Sequence, residues 1–458
     1  MRISRSITIL LAFVLLLSSC SSIYVSDPES TLQMSMEVNP DEEHFTLGNH
    51  HSKMTNDGVI YKDSFIYVEM QKYQEPIILP NGVKDYKKKT AQRIVKVNIN
   101  TGVVSSVCLD PACSHSVDSC CPMFIKSGEV GIQGISGDWL VFSSFHMVAE
   151  LNLMIPDTYV YNIITGELVK IFDYNINESI INTIGGLLLE DNKIYFIKNV
   201  LDYSKTDYQS EKKMDLDNYT PETKSFLYQF DLDSKKLSEI MELPYGYTIT
   251  AKSNSRLFFF NPTQGAFYGE MYSCNINGGD LTKEEVWNFT PQDFIGTYAY
   301  LCDWDNKKIN IYDLRTNTQK VIETPYNYAY YYLTNEGILL STFADDDIYD
   351  EYLASRKNKE WLAWCEEGQK IRGESTGLIY LLDFDGSNQR LIYEKDKVEL
   401  RGLGFAGEYI FGYAFYYDPD NSYQLKYMEN NARALINIKT GEITMIPLLE
   451  LIIPNEYE

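Results

Sequence analysis

One stretch of this 458-residue chain holds the side chains best suited to chemistry: Cys108-Leu-Asp-Pro-Ala-Cys113-Ser-His115-Ser-Val-Asp-Ser-Cys120-Cys121-Pro122. Four cysteines and a histidine fall within fourteen residues. Thiolate and imidazole are the preferred ligands of Zn²⁺, and a set so closely spaced can close around the ion tetrahedrally. Cys108, Cys113, His115 and one of Cys120 or Cys121 would be the ligands. The spacing is not that of a common zinc finger. In an exported chain the same thiols can instead pair as disulfides, Cys108 with Cys113 or Cys113 with Cys120. Either role is structural, because a full ligand set leaves no open coordination position for a substrate.

Elsewhere the chain is poor in catalytic signals. It has no Gly-x-Ser-x-Gly, no His-Glu-x-x-His and no phosphate-binding glycine loop. No histidine follows His146, so most of the chain offers no imidazole base. A pair of carboxylates could serve glycoside hydrolysis, but with 64 acidic residues the sequence does not single out a pair. Tyr-rich segments such as Tyr326 to Tyr332 and Tyr413 to Tyr417 could stack on sugars or grip peptides, or simply pack between strands. The formal net charge of -24 argues against nucleic acid, which clustered Lys and Arg would grip. Cys274, Cys302 and Cys365 stand alone, and the first two read as small buried hydrophobes on strands.

The first residues read as a sorting signal. Arg2 and Arg5 are its positive end, Ile7 to Leu17 its apolar run, and Leu17-Ser18-Ser19-Cys20 its end. The run is too short to span a bilayer. The order resembles the lipobox of bacterial lipoproteins, which implies that Cys20 takes a diacylglycerol and becomes the new N-terminus. Residues 1–19 are then a signal peptide. Residues 20–52, polar and without periodicity, read as a flexible tether. His44, His50 and His51 lie there as ordinary linker residues. The expected location is the outer face of the cell membrane, held by the lipid.

The elements that must position the cysteines come from a repeat. Seven strand ends are marked by Asn98, Asn162, Asp231, Asn275, Asp313, Asp383 and Asn437. An apolar residue follows each, and three positions on stands a small turn residue such as Thr101, Thr165 or Thr440. Nine positions on an apolar residue recurs, from Val107 to Ile446, with Glu284 as the departure. This is the pattern of a β-hairpin whose strands alternate to bury one face. A further strand lies upstream of most copies, as in Asp191-Asn-Lys-Ile-Tyr-Phe-Ile197, and a fainter one precedes that. The unit is four antiparallel strands, and residues 53–458 read as an all-β, seven-bladed β-propeller. The fifth unit is the weakest, so six or eight blades stay open, as does the manner of ring closure. Two insertions interrupt the pattern: polar Tyr203 to Lys224, and Asp345 to Glu374, whose apolar spacing fits a short helical hairpin. Its Asp345-Asp346-Asp347 lacks the alternation of a calcium loop.

With lipobox, repeat and cysteine motif together, the chain resembles a group of uncharacterised β-propeller lipoproteins of anaerobic Gram-positive bacteria, related to the propeller of low-density-lipoprotein receptors. The motif residues are Cys108, Pro111, Cys113, His115 and Cys121-Pro122, with an additional Cys120. The receptor tetrad Tyr-Trp-Thr-Asp is absent. The resemblance implies a surface-anchored propeller and brings no established activity. The functional expectation is a non-catalytic binding module for carbohydrate or protein. The alternative is a carbohydrate-active enzyme using Asp or Glu on the central face.

Overall fold

The computed structural model describes the strands between residues 58 and 446 together with residues 46–47. Outside the description lie residues 1–45, 48–57, 203–221, most of 345–375, 417–431, 447–458 and shorter stretches between strands. β1 (Thr46–Leu47) precedes a ring of seven antiparallel sheets. The first blade is β2 (Gly58–Tyr61), β3 (Ser64–Ile78), β4 (Lys84–Asn98) and β5 (Val104–Ser106), with β6 (Phe124–Ile125) added to β4. The second is β7 (Glu129–Ser136), β8 (Trp139–Val148), β9 (Leu153–Asn162) and β10 (Leu168–Phe172). β11 (Ile176–Asn177) edges the third, which continues β12 (Ile180–Glu190), β13 (Lys193–Asp202), β14 (Glu222–Asp231) and β15 (Lys236–Leu243). The fourth is β16 (Thr248–Lys252), β17 (Arg256–Pro262), β18 (Gly269–Asn275) and β19 (Thr282–Lys283). The fifth is β20 (Asp293–Ile295), β21 (Tyr298–Asp303), β22 (Lys308–Asp313) and β23 (Thr318–Glu323). The sixth is β24 (Tyr330–Thr334), β25 (Gly337–Phe343), β26 (Gly377–Leu382) and β27 (Arg390–Lys395). The seventh is β28 (Val398–Ala406), β29 (Tyr409–Tyr416), β30 (Ala432–Asn437) and β31 (Ile443–Met445). The ring has seven blades, and the doubtful fifth is complete.

The anchors work as side-chain caps of the turn after each third strand. Asn98 Oδ1 accepts from the Asn100 and Thr101 N–H groups, both at 3.0 Å, and Asn162 Oδ1 from those of Ile164 and Thr165. Asn437 repeats this with Lys439 and Thr440. Short polar side chains that bond the backbone two and three residues on are what such a turn requires. Gly102 and Gly166 then take φ of 69° and 75°, the left-handed region that glycine enters without penalty. The apolar residue after the anchor has a second duty. Its N–H donates to the turn between the first two strands: Ile99 to Asp63 O, Ile163 to Asp138 O, Leu232 to Asn192 O, Ile276 to Ser255 O and Leu314 to Thr297 O.

Burial differs from simple alternation. The middle strands are covered on both faces, because each blade is packed between two neighbours. Tyr195 and Ile197 of β13 pack toward the fourth blade, while Ile194 and Phe196 pack toward the second. Leu257 and Phe259 of β17 face the third blade, and Phe258 and Phe260 the fifth. Continuous apolar runs such as Leu257 to Phe260 follow from this double burial. The outer strands pay no such constraint, and most of β15 is exposed or half-buried.

Among the described residues no strand is shared between the ends of the ring: blade one is built from early residues and blade seven from late ones. Side chains close the joint there. Phe411 stacks on Phe65 with centroids 4.6 Å apart and lies tilted 5.1 Å from Tyr67. The Arg433 guanidinium sits 4.7 Å from the Tyr67 ring centre and donates to Val68 O at 2.7 Å. Ile60, Val95, Val97, Leu435 and Ile446 complete the joint. The tail Leu448 to Ile453 lies outside the described residues.

Strand direction sorts the connections by face. The first-to-second and third-to-fourth turns of every blade fall on one face, and all are tight. The second-to-third connections and the blade-to-blade crossovers fall on the other. Residues 203–221, 344–376 and 417–431 are all second-to-third connections, so the long insertions share one face. We call these the turn face and the insertion face. Within the second insertion, Ala363, Trp364 and Glu367 are helical and Trp364 is buried, while the rest of the expected helical hairpin lies outside the described residues.

Candidate metal centre

The cysteine stretch is the crossover from the first blade to the second, on the insertion face. Val107 is fully buried at the end of β5, and Cys108 follows with its N–H donating to Ser106 Oγ at 3.1 Å. Asp110-Pro111-Ala112-Cys113 then forms a tight turn. Asp110 Oδ1 accepts from the Ala112 N–H at 2.9 Å, and the Cys113 N–H donates to Asp110 O at 3.1 Å. Asp at the first and Pro at the second position are the residues such a turn selects. The second blade holds this leg through Tyr161 of β9, whose hydroxyl oxygen accepts from the Leu109 N–H at 2.9 Å. The returning leg is pinned to the first blade. Met123 O accepts from the Ile94 N–H at 2.9 Å, and β6 pairs with Gln92 and Arg93 of β4. Cys121 and Met123 are buried in the core between the two blades, with Cys108 and Cys113 packed against it.

The two legs bring three thiols together. The sulfurs of Cys108, Cys113 and Cys121 all lie within 4.8 Å of one another, and none of the three is in a disulfide. A zinc–sulfur bond of about 2.3 Å places tetrahedral thiolates about 3.8 Å apart, so little contraction would close the set around an ion. The donors fit a metal ion, and the cluster could hold one. His115 and Cys120, either of which would complete four ligands, lie outside the described residues. So does Cys20. Burial pushes the Cys108 and Cys121 thiols up from their ordinary range. A cation among them would reverse that balance and favour thiolates. Cys274 is of another kind: fully buried on β18, with burial pushing its thiol up to about 11, it is the small core residue expected.

Three neighbouring contacts escaped the sequence reading. Glu69 on β3 and Arg93 on β4 are register partners and form a buried ion pair, Nε to Oε2 at 2.7 Å. Gln92 Oε1 accepts from the Val130 N–H at 2.6 Å and so ties the first blade to β7. Tyr161 holds the outgoing leg. Each depends on register or on which blades adjoin, and neither is visible in local sequence.

No protein-family model and no curated protein matches the chain. Among solved structures it is similar to the Pyrococcus horikoshii acylaminoacyl peptidase, at 14% identity and a TM-score of 0.45, covering 88% of this chain and 52% of that one. It thus spans about half the length of that peptidase. The β-propeller domain of the Trilobed protease from Pyrococcus furiosus, described as having an open velcro topology, is 11% identical with a TM-score of 0.42, covering 91% and 99%. A chain of a nidogen/laminin complex is 10% identical with a TM-score of 0.27, covering 62% and 94%. These are distant likenesses of a propeller ring, and they carry nothing about activity.

Proposed function

We propose that the protein is a lipoprotein anchored through Cys20 to the outer face of the cell membrane, with the propeller as a non-catalytic module that binds carbohydrate or protein. One observation carries the reading: every long connection lies on the insertion face, while the turn face is closed by tight, self-capped turns. Loops held on a rigid scaffold are where binding residues concentrate. The partner therefore meets the insertion face, and residues 203–221, 344–376 and 417–431 supply its contacts. Zn²⁺ held by Cys108, Cys113, Cys121 and either His115 or Cys120 staples the crossover on that same face. The metal's part is structural, fixing the two legs of one loop across the joint between blades.

The test uses purified mature chain, titrated against defined cell-envelope polysaccharides and glycoproteins by calorimetry. Binding lost when residues 204–220 are replaced by a short Gly-Ser link, with the ring still folded, supports the reading. Unchanged binding after each insertion is replaced in turn would overturn it. The anchor is tested separately, because Cys20→Ala should release the protein into the medium and retention would refute it.

A second reading has its own support. Three inner strands begin at the insertion-face mouth with an acidic residue: Glu129 opens β7, Asp293 opens β20, and Glu399 is second in β28. Acidic residues are what glycoside hydrolysis draws on. Release of reducing ends from any glycan by the purified protein, abolished by Glu399→Gln or Asp293→Asn, would favour the enzyme over the binding module.

A further inference from the structure

One short strand shows where the N-terminal segment meets the ring. β1 pairs with β16 on the side away from β17, with Thr46 opposite Lys252 and Leu47 opposite Ala251. β16 is the inner strand of the fourth blade. β1 also lies against β12 and β20, the inner strands of the third and fifth blades. The inner strands border the central channel of a propeller, so β1 stands within it. Its pairing partners are covered accordingly. Ala251 is fully buried, and Lys252, of a residue type that usually reaches water, is 6% exposed.

Strand directions fix which way the chain travels there. β16 runs from the insertion face to the turn face, since Lys252 is followed by the tight turn that leads into β17 at Arg256. β1 is antiparallel to it and so runs from the turn face toward the insertion face. Thr46, its first residue, is paired at the turn-face end of β16. β2 then starts at Gly58 on the insertion face, because Tyr61 is followed by the tight turn into β3 at Ser64. The chain between Leu47 and Gly58 therefore connects the turn-face half of the channel to the insertion face of the first blade. Whatever precedes Thr46 joins at the turn-face end.

We infer that the N-terminal segment threads the propeller, entering at the turn face and leaving at the insertion face, and that this turns the turn face toward the membrane and presents the insertion face away from it. The orientation rests on the Cys20 anchor of the proposed function, and the threading does not. Cys20 lies 26 residues before Thr46. A flexible chain of that length has a typical end-to-end distance of about 28 Å. A blade strand of 10 residues, such as β14, is about 34 Å long. The tether is thus no longer than the ring is deep, and the face where it emerges stays the nearer one. That face is made of short, self-capped turns, which can lie close to a bilayer. Residues 203–221, 344–376 and 417–431 then stand on the side that a partner outside the cell meets.

Two measurements test the two steps separately. A photo-crosslinking amino acid in place of Glu43 should join to the turn-face turn of the fourth blade, Ser253 to Arg256, as read by mass spectrometry. Thr46→Pro with Leu47→Pro removes the amide donors of β1 and should lower that yield by about half or more. Crosslinks from position 43 to the insertion-face connections, or an unchanged yield in the double variant, would overturn the threading. For the orientation, the chain lipidated at Cys20 is placed in phosphatidylcholine vesicles that carry an acceptor dye on their headgroups. A fluorescent amino acid replaces either Lys236, exposed at the turn face, or Glu222, exposed at the insertion face of the same blade. Energy transfer should be stronger from position 236 than from position 222. Equal transfer, or the reverse order, would overturn the orientation. A chain that washes off the vesicles refutes the anchor, and with it the orientation, while the crosslinks still decide the threading.

Discussion

Phe411→Ala tests whether side chains alone close the ring. Phe411 is fully buried at the joint between the last blade and the first, stacked on Phe65 and tilted against Tyr67. Its removal loses the transfer free energy of the ring and leaves a cavity, and Phe→Ala changes of this kind cost about 3–5 kcal/mol. Up to about 1.5 kcal/mol of that is the aromatic pairing itself. Arg433 is left over Tyr67 with one of its two aromatic partners gone. Among the described residues no shared strand stands behind these contacts, so the loss should open the joint before the rest of the ring unfolds. Hydrogen exchange followed by mass spectrometry reads this directly. Amides of β2 to β5 and β28 to β31 should exchange faster, while β16 to β18, across the ring, should keep their protection. Phe142→Ala removes an equally buried ring from the core between the first two blades and serves as the comparison, because the chain itself links those blades. A uniform rise in exchange around the whole ring, or a cost below about 1 kcal/mol, would refute closure by this joint.

Three further outcomes are expected. Glu69→Ala should destabilise by about 3–5 kcal/mol in chemical denaturation, since it takes the carboxylate away from the buried Arg93 guanidinium, whereas Glu69→Leu with Arg93→Met should cost far less. Elemental analysis of chain purified under reducing conditions should find about one metal per chain, Cys121→Ser should lose it, and a chelator should lower the melting temperature of the unaltered chain only. The Asp231 carboxylate accepts from the Ser234 N–H and hydroxyl, both at 2.7 Å, and these bonds hold it below its ordinary value of 3.8. Its folded value is thus below its unfolded one, so its contribution is present above pH 3.8 and fades as the pH falls through the folded value. Asp231→Asn keeps the acceptor and should remove that fading, seen as converging melting temperatures of the two proteins in acid.

The ring was legible because each blade repeats a local device. An Asn or Asp that caps its own turn, an apolar residue after it and a glycine or threonine beyond it can be read without knowing what lies across the chain. The fifth blade was hard to read for the same reason: its first two strands span only Asp293 to Asp303, too few residues to show a period. The cysteines were legible as a set, and three of them meet. What could not be read depends on register or on neighbouring blades. Glu69 and Arg93 are far apart in sequence and meet only because β3 and β4 pair in one particular register. Alternation suggested one buried face per strand, but the ring covers both faces of the middle strands, and that follows from closure rather than from any strand. The sorting of insertions onto one face was implicit in the four-strand unit and needed only the strand directions.

The first blade carries reinforcements at both of its joints. Toward the seventh blade it presents Phe65 and Tyr67 to Phe411 and Arg433. Toward the second it presents Gln92 to Val130, and the crossover with its three thiols lies over that core. Within the blade, Glu69 and Arg93 link β3 to β4 just where β2 ceases to cover them. Beyond that point, from Gln71 to Ile78 and from Lys84 to Ala91, the two strands pair only with each other among the described residues, and an isolated two-stranded ribbon is marginal in water. The first blade must be met from both sides, with no shared strand among the described residues. There the core is supplemented by charge-assisted and cation–π contacts, and by thiols placed to take a metal. Loosening the first blade would therefore affect the closing joint and the metal loop together, which couples two otherwise separate features of the molecule through one sheet.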